Sequence, residues 1–212
     1  MKTGVMFGLG ALAVAAVAVA AMPVQDAKAK TRGDEKPAAQ AGDPMTEAML
    51  KAAQLGPQHA EFAKTVGTWK ARVKNWNDPT QPPTESEGTT RYELALGGRY
   101  LVEHFSGEMP GMGPFDGMGI FAFNNITGEY QHVWMDSFST GIFLSSGKPD
   151  ADGTCEMTGE MDNPLGGDKL PCRMIMKQVS ENERHFEMHG SMGGPEMMKM
   201  MEIDYTRAAT TR

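Results

Sequence analysis

The sequence GTWKARVKNW, at residues 67–76, decides the fold. Apolar side chains alternate in it with basic ones: Trp69, Ala71 and Val73 against Lys70, Arg72 and Lys74. Alternation with a period of two is typical of a β-strand with one buried face. The chain before Gly67 has a helical period instead, so this glycine separates a helical segment from a long run of strands.

Two short helices are predicted before Gly67. Thr46 can cap a helix over residues 47–55 that Gly56 closes, and Pro57 suits the first turn of a second helix. One face of the second helix repeats at three- and four-residue spacing, with His59, Phe62, Ala63 and Val66. We expect this face to pack against the rest of the domain.

The strand pattern continues to the end of the chain, and short turns rich in Gly, Pro and Asn interrupt it. About nine further strands are predicted, at residues 87–96, 99–108, 117–124, 129–138, 140–147, 154–162, 170–179, 184–191 and 197–207. This pattern indicates an all-β antiparallel barrel or sandwich with a short N-terminal helical segment. A barrel is favoured because closure removes exposed edges, and eight or more strands can enclose a small ligand.

The N-terminus carries the features of a secretory signal peptide. Lys2 precedes an apolar run over residues 5–22, and small residues follow that offer cleavage sites. An uncleaved membrane anchor is the alternative, although Ala and Gly are only weakly apolar. We expect an exported protein, periplasmic or extracellular, with no stable membrane anchor after cleavage. The predicted organisation is a signal peptide at 1–29, a disordered lead-in at 30–45, one β-barrel domain at 46–207 and a tail at 208–212.

The charge of the chain excludes one class of partner. The net charge is −7, and cleavage after Ala29 leaves 18 basic and 26 acidic residues, or −8. An acidic exported protein lacks the positive surface that nucleic acids and anionic membranes attract. We therefore expect no nucleic-acid partner.

Two cysteines, Cys155 and Cys172, lie on opposite strands of a predicted hairpin. Disulfides persist in exported proteins, so a cross-strand disulfide is the preferred interpretation. Two buried free thiols are the alternative.

Several sequence landmarks follow one another in the order of a known family. They are GPQH at 56–59, VGTWK at 66–70, LGGRY at 96–100, FSGE at 105–108, WMDS at 134–137 and EIDYTR at 202–207. Together they resemble the uncharacterised bacterial family called domain of unknown function 1579, over about residues 56–207. The resemblance implies a fold and an exported location, and it assigns no reaction. Residues 165–171 and the Met-rich residues 188–201 are less typical of the family.

The position of Gly67-Thr68-Trp69 is also similar to the Gly-x-Trp signature of lipocalin-like barrels. That resemblance implies that Trp69 plugs one end of the barrel beneath an arginine from the last strand. Arg207 is placed to be that arginine, in a cation–π contact of about 0.5–2 kcal/mol.

The strongest candidate for a binding site is YQHVWMDSFSTG, at residues 130–141. If the preceding turn pairs Phe123 with Tyr130, then Gly119 faces Trp134 and Gly117 faces Asp136, which leaves room on that face. We predict a small apolar or aromatic ligand inside the barrel. The candidate ligand-binding residues are Tyr130, His132, Trp134 and Asp136, with Tyr92, Tyr100 and His104 as additions from neighbouring strands.

Three functions other than ligand binding are alternatives. An enzyme is disfavoured because the sequence has no nucleophile elbow, zinc-protease helix or phosphate-binding loop. A structural or interaction module is the runner-up, because a second apolar face could lie under the N-terminal helices or against a second copy in a homodimer. That face consists of Met118, Ile120, Ala122, Val133 and Met135.

The third function is Cu(I) handling at the last predicted hairpin, since thioether and imidazole groups suit this ion. Its candidate ligands are His185, His189, Met192 and Met197. Methionine is also ordinary core filler, which is the competing explanation for the Met-rich sequence.

Overall fold

The structure, a computed structural model, describes residues 43–78, 80–150, 154–191 and 196–209. The predicted signal peptide, most of the lead-in and the last three residues of the tail lie outside the described residues. Within the described ranges, no helix combines the length and the apolar character needed to cross a membrane.

Two helices, α1 (Pro44–Ala52) and α2 (Pro57–Thr65), precede the strands. The predicted cap of α1 is wrong by three residues. Asp43 is the N-cap, and its carboxylate accepts hydrogen bonds from the amides of Met45 and Thr46 at 3.3 and 3.2 Å. Asp is a strong N-cap and Pro is favoured in the first turn, so the helix begins at the end of the predicted lead-in.

Ten antiparallel strands form a closed barrel, which confirms the predicted fold class and excludes the sandwich. Each strand pairs with its neighbours in the chain, and the last strand closes the ring on the first. The strands are β1 (Gly67–Asn75), β2 (Thr84–Ala95), β3 (Tyr100–Met109), β4 (Gly113–Asn124), β5 (Glu129–Asp136), β6 (Phe143–Gly147), β7 (Cys155–Met161), β8 (Leu170–Ser180), β9 (Glu183–Gly190) and β10 (Met198–Arg207).

Several strand boundaries differ from the prediction, among them those around β4 and β6. The predicted loop at 109–116 is mostly strand, because β3 and β4 stay paired as far as Met109 and Gly113. Strand β6 begins at Phe143 rather than at residue 140. The Asp136 carboxylate accepts the Phe138 amide at 2.9 Å, which turns the chain out of the sheet after β5.

Trp69 closes one end of the barrel. Its side chain is fully buried, and its indole N–H donates to the carbonyl of Thr65 at 2.9 Å. The Arg207 guanidinium lies 4.2 Å from the ring centroid, which is the contact predicted from the sequence. The same guanidinium donates to the carbonyls of Val66 and Lys64 at 2.8 and 2.6 Å, so it also ties α2 to β10.

The predicted disulfide is wrong, and both cysteines are free and buried. Cys155 pairs with Met176 across the β7–β8 ladder, whereas Cys172 pairs with Gly159. This offset of four residues separates the two thiols by about 13 Å along the strands, far beyond the reach of a disulfide. Burial raises the pKa of the Cys155 thiol to about 12 and that of Cys172 to about 11.

The second apolar face of β4 and β5 lies on the outside of the barrel. Its five side chains are all partly buried: Met118, Ile120, Ala122, Val133 and Met135. Helix α2 packs against β2 and β3 at the barrel end.

Candidate ligand-binding site

The barrel encloses a cavity of about 500 Å³. Trp69 and α2 lie at one end of the barrel, and the cavity opens towards the other end. Residues at the end of β3 and in the β5–β6 and β7–β8 connections line its mouth, among them Glu108, Phe138 and Asp162. The site is therefore a pocket inside the barrel, with its mouth at the end away from Trp69.

Two chemically different walls face each other across the cavity. Strands β3 to β6 contribute the aromatic wall, which consists of Phe105, Phe115, Phe121, Trp134 and Phe143. Strands β7 to β10 contribute the thioether wall, in which five methionines lie alongside Phe186 and Tyr205: Met161, Met174, Met176, Met188 and Met201. Aromatic rings and thioethers both pack well on flat, polarisable molecules.

The pairing predicted for β4 and β5 is confirmed at every position. Phe123 pairs with Tyr130, Gly119 with Trp134 and Gly117 with Asp136. The space left by the glycines is filled by the indole itself, since a Cβ added to Gly117 would lie 2.3 Å from a Trp134 ring atom. The indole N–H donates to Asp136 at 3.1 Å, which holds the ring against the wall.

A buried carboxylate, Glu103 on β3, lies in the cavity, and the sequence interpretation missed it. Glu103 is only 4% exposed, and its carboxylate accepts a hydrogen bond from the Tyr92 hydroxyl at 3.0 Å. Burial raises the pKa of Glu103 to about 7, against the opposing effects of Tyr92 and the Arg184 charge. The sequence feature that could have identified Glu103 is its alternation with Leu101 and Phe105, two apolar residues that face inward.

His132 on β5 also lies deep in the cavity and is 6% exposed. Its ring stacks on Phe121 at 4.3 Å between centroids, yet neither ring nitrogen has a hydrogen-bond partner among the described residues. Burial lowers the pKa of His132 to about 4, so the imidazole is neutral at pH 7. A buried polar side chain without a partner is costly, and such a group inside a cavity indicates a place for a ligand.

The structure brings together Tyr92, His132, Trp134 and Asp136 from the candidate set, but not the other three residues. Tyr130 lies beyond the cavity at the helical end, where it packs on Phe62 and Phe123. Tyr100 and His104 are not among the residues that line the cavity. The residues of β3 that point inward are Leu101, Glu103 and Phe105, so Tyr100 and His104 take the outer face, where His104 lies 3.3 Å from Glu93.

The candidate copper ligands are not gathered around one point in the described part of the chain. His185 and His189 lie on β9 with carboxylate partners, at 2.8 Å from Asp204 and 2.8 Å from Glu187 respectively. Met192 lies outside the described residues, and Met197 is 43% exposed ahead of β10.

Three side chains on the outer face of β9 and β10 are close enough to one another to share an ion: His185, Glu187 and Glu202. The Lys199 ammonium already donates to both carboxylates. Burial opposes the ionisation of Glu187, but hydrogen bonds from Lys199, His189 and His185 outweigh it and hold its pKa at about 2. The cluster is thus a salt-bridge network with its own internal cation.

Comparisons with solved structures agree with the barrel fold. The structure of Rv2717c from M. tuberculosis is 15% identical, with a TM-score of 0.52 over 74% of this chain and 100% of that one. The S-type phycobiliprotein lyase CpeS from Guillardia theta is 9% identical, with a TM-score of 0.53 over 77% of this chain and 98% of that one. At these identities the likeness shows the fold alone.

No curated protein matches the chain. The sequence model of one family, described as "Protein of unknown function (DUF1579)", matches residues 54–207. These residues include every strand of the barrel and the whole of α2. The chain therefore belongs to the DUF1579 family.

Proposed function

We propose that this protein binds a small, largely apolar or aromatic molecule inside the barrel. The observation that carries the proposal is the cavity of about 500 Å³ between the aromatic and thioether walls. Ligand sites in proteins are usually concave, mostly apolar and of this size, with a few polar groups that fix orientation. Tyr92, Glu103 and His132 supply such groups here.

The proposed affinity follows from the apolar surface that the ligand buries. A two-ring aromatic molecule that buries about 250 Å² gains roughly 6 kcal/mol at about 25 cal/mol per Å². The translational and rotational freedom that the ligand loses on binding offsets part of this gain, while contacts with rings and thioethers add to it. We expect a Kd of the order of 10–100 μM for naphthalene.

The proposal also places the barrel outside the cytoplasm. Its support is the signal-peptide pattern of residues 1–29. A periplasmic or extracellular ligand binder would meet molecules taken up or released by the cell.

Two matched substitutions test the site. Met188 lies on the inner thioether wall, whereas Met118 lies on the outer face, and both are partly buried. Met188→Trp should fill the cavity and weaken naphthalene binding at least tenfold, because overpacking leaves no room for the ligand. Met118→Trp should bind like the wild type.

Isothermal titration with naphthalene measures both variants, with circular dichroism as the check on folding. Absence of saturable binding to the wild type would contradict the proposed function. Unchanged binding to folded Met188→Trp would place the ligand elsewhere.

A further inference from the structure

We propose that the cavity selects ligands whose apolar body ends in a hydrogen-bond donor, such as a hydroxyl or an amine. Glu103 and His132 make this selection, and carboxylic acids of the same shape are rejected. The inference rests on the binding function proposed above and adds the chemical class of the ligand.

The first observation is that two acceptor atoms face one point. A Cβ added to Gly119 would lie 3.1 Å from Nε2 of His132 and 3.2 Å from Oε2 of Glu103. The two side chains come from different strands, β5 and β3, on either side of β4. A Cβ at this point would be bonded to the Gly119 Cα, so no ligand atom can occupy the point itself, but the polar end of a ligand that packs against Gly119 lies beside both side chains.

The second observation is that His132 lacks any partner of its own. Both of its nitrogens are buried without a hydrogen bond among the described residues, although Glu103 and Tyr92 are bonded to each other nearby. A neutral imidazole has one acceptor nitrogen, and a carboxylate has acceptors only. A ligand that donates a proton to this pair satisfies groups that the protein leaves open, whereas a ligand with acceptors alone satisfies fewer.

The third observation is that Glu103 already occupies the place of an acidic ligand. The cationic group at this end of the cavity is Arg184, which lies 5.5 Å from the Tyr92 ring centroid. Glu103 offsets this positive charge, since Arg184 and Glu103 interact electrostatically. A ligand carboxylate would add a second anion beside Glu103, and two carboxylates in one buried site repel each other.

The mouth of the cavity is negatively charged, like Glu103 inside it. Four acidic residues line it: Glu108, Asp136, Glu160 and Asp162. Lys169 lies 3.3 Å from Asp162 and offsets one of them. A negative entrance lowers the local concentration of anions and raises that of cations.

Three probes with one ring system separate these contributions: naphthalene, 2-naphthol and 2-naphthoate. Titrated at pH 7.5 into the full chain, 2-naphthol should bind roughly tenfold or more tightly than naphthalene, because a hydrogen bond to a charged acceptor is worth about that factor. 2-Naphthoate should bind more weakly than naphthalene.

Two variants assign the effect to its residues. His132→Phe should keep naphthalene binding and lose part of the 2-naphthol advantage, whereas Glu103→Gln should lose the larger part, because the charged acceptor is gone. Glu103→Gln should bind 2-naphthoate more tightly than the wild type, because the competing charge is gone. His104→Phe and Glu93→Gln are the matched controls, since this His–Glu pair lies on the outer face; both should keep the wild-type order of affinities.

The outcomes distinguish this inference from the function on which it rests. Equal binding of naphthalene and 2-naphthol overturns the inference and leaves the binding function standing. Preference for 2-naphthoate overturns it as well. Failure of all three probes to bind overturns both proposals. The wild-type series decides these points even if a variant fails to fold.

Discussion

At the scale of single residues, the cavity holds two titratable groups whose charged forms are both disfavoured. Burial raises the pKa of Glu103 from 4.5 to about 7 and lowers the pKa of His132 from 6.5 to about 4. The folded protein therefore holds the Glu103 proton more tightly than the unfolded chain does, and the His132 proton less tightly. As pH rises, the Glu103 contribution to stability decreases and the His132 contribution increases.

We predict that single substitutions expose these opposed contributions. In His132→Phe the Glu103 contribution remains, so stability should fall by up to about 3 kcal/mol as pH rises from 4.5 to 7. In Glu103→Gln the His132 contribution remains, so stability should fall by a similar amount as pH drops from 6.5 to 4. Urea unfolding across this pH range, compared with the wild type, measures both.

The comparison with the wild type cancels the surface carboxylates, which all variants share. In the wild type the two effects should largely offset each other between pH 4.5 and 6.5. Identical pH profiles for all three proteins would show that neither group is buried as described. His132→Phe should also be at least as stable as the wild type near pH 5, because it removes two unpaired polar atoms from the interior.

At the scale of elements, the β4–β5 hairpin builds the aromatic wall. Glycines on β4 lie opposite large side chains on β5, and the Trp134 indole lies against the Gly117 backbone. Any side chain at Gly117 would displace the indole and with it the hydrogen bond to Asp136.

We predict that Gly117→Ala destabilises the protein by about 1–3 kcal/mol, the usual cost of overpacking. Gly141→Ala is the control, because its Cβ would meet Asp162 at an ordinary 3.6 Å. Adding Trp134→Phe to Gly117→Ala should recover part of the loss, since the smaller ring frees the space. Urea unfolding is measured for Gly117→Ala, Trp134→Phe, the double variant and the control, and a double-variant loss equal to the sum of the two single losses would argue against the contact.

The hairpin also shows what the sequence can and cannot predict. The register followed from Phe123 and Tyr130 flanking a short turn, because turn length fixes which residues pair. The two faces of β3 were separated correctly, but alternation does not say which face is inner. Leu101 and Phe105 make one face of β3 apolar, but Tyr100 and Val102 make the other face apolar too. Only closure of the barrel determines which face is the inner one. The cysteine offset likewise depends on the β7–β8 register, which a long connection leaves open.

At the scale of the whole molecule, the barrel end is held by the contact between the first and last strands. Two guanidinium groups lie close to the Trp69 ring, Arg207 at 4.2 Å and Arg184 at 5.9 Å from its centroid. Arg207 also reaches carbonyls of α2 and of the β8–β9 turn, at Lys64 and Glu181. One side chain thereby joins the helix, the turn and both terminal strands.

We predict that Arg207→Lys destabilises the protein by about 1–3 kcal/mol, because an ammonium cannot stack on Trp69 and serve three carbonyls at once. Arg72→Lys is the matched control, since the Arg72 side chain is 61% exposed and makes one ion pair, to Asp204. Thermal unfolding followed by tryptophan fluorescence measures the difference. Equal melting temperatures for the two variants would contradict the role of Arg207.

The number of paired residues between neighbouring strands varies around the barrel. Strands β3 and β4 pair over ten positions, whereas β6 and β7 pair over only two, Ser145 with Gly159 and Ser146 with Thr158. The amide hydrogens of β6 and β7 should therefore exchange with solvent water before those of β3 and β4. Since His132 and Trp134 lie beside β6, transient separation of this seam would open a lateral path to the cavity. Molecules too wide for the mouth would then enter and leave at the rate of strand separation.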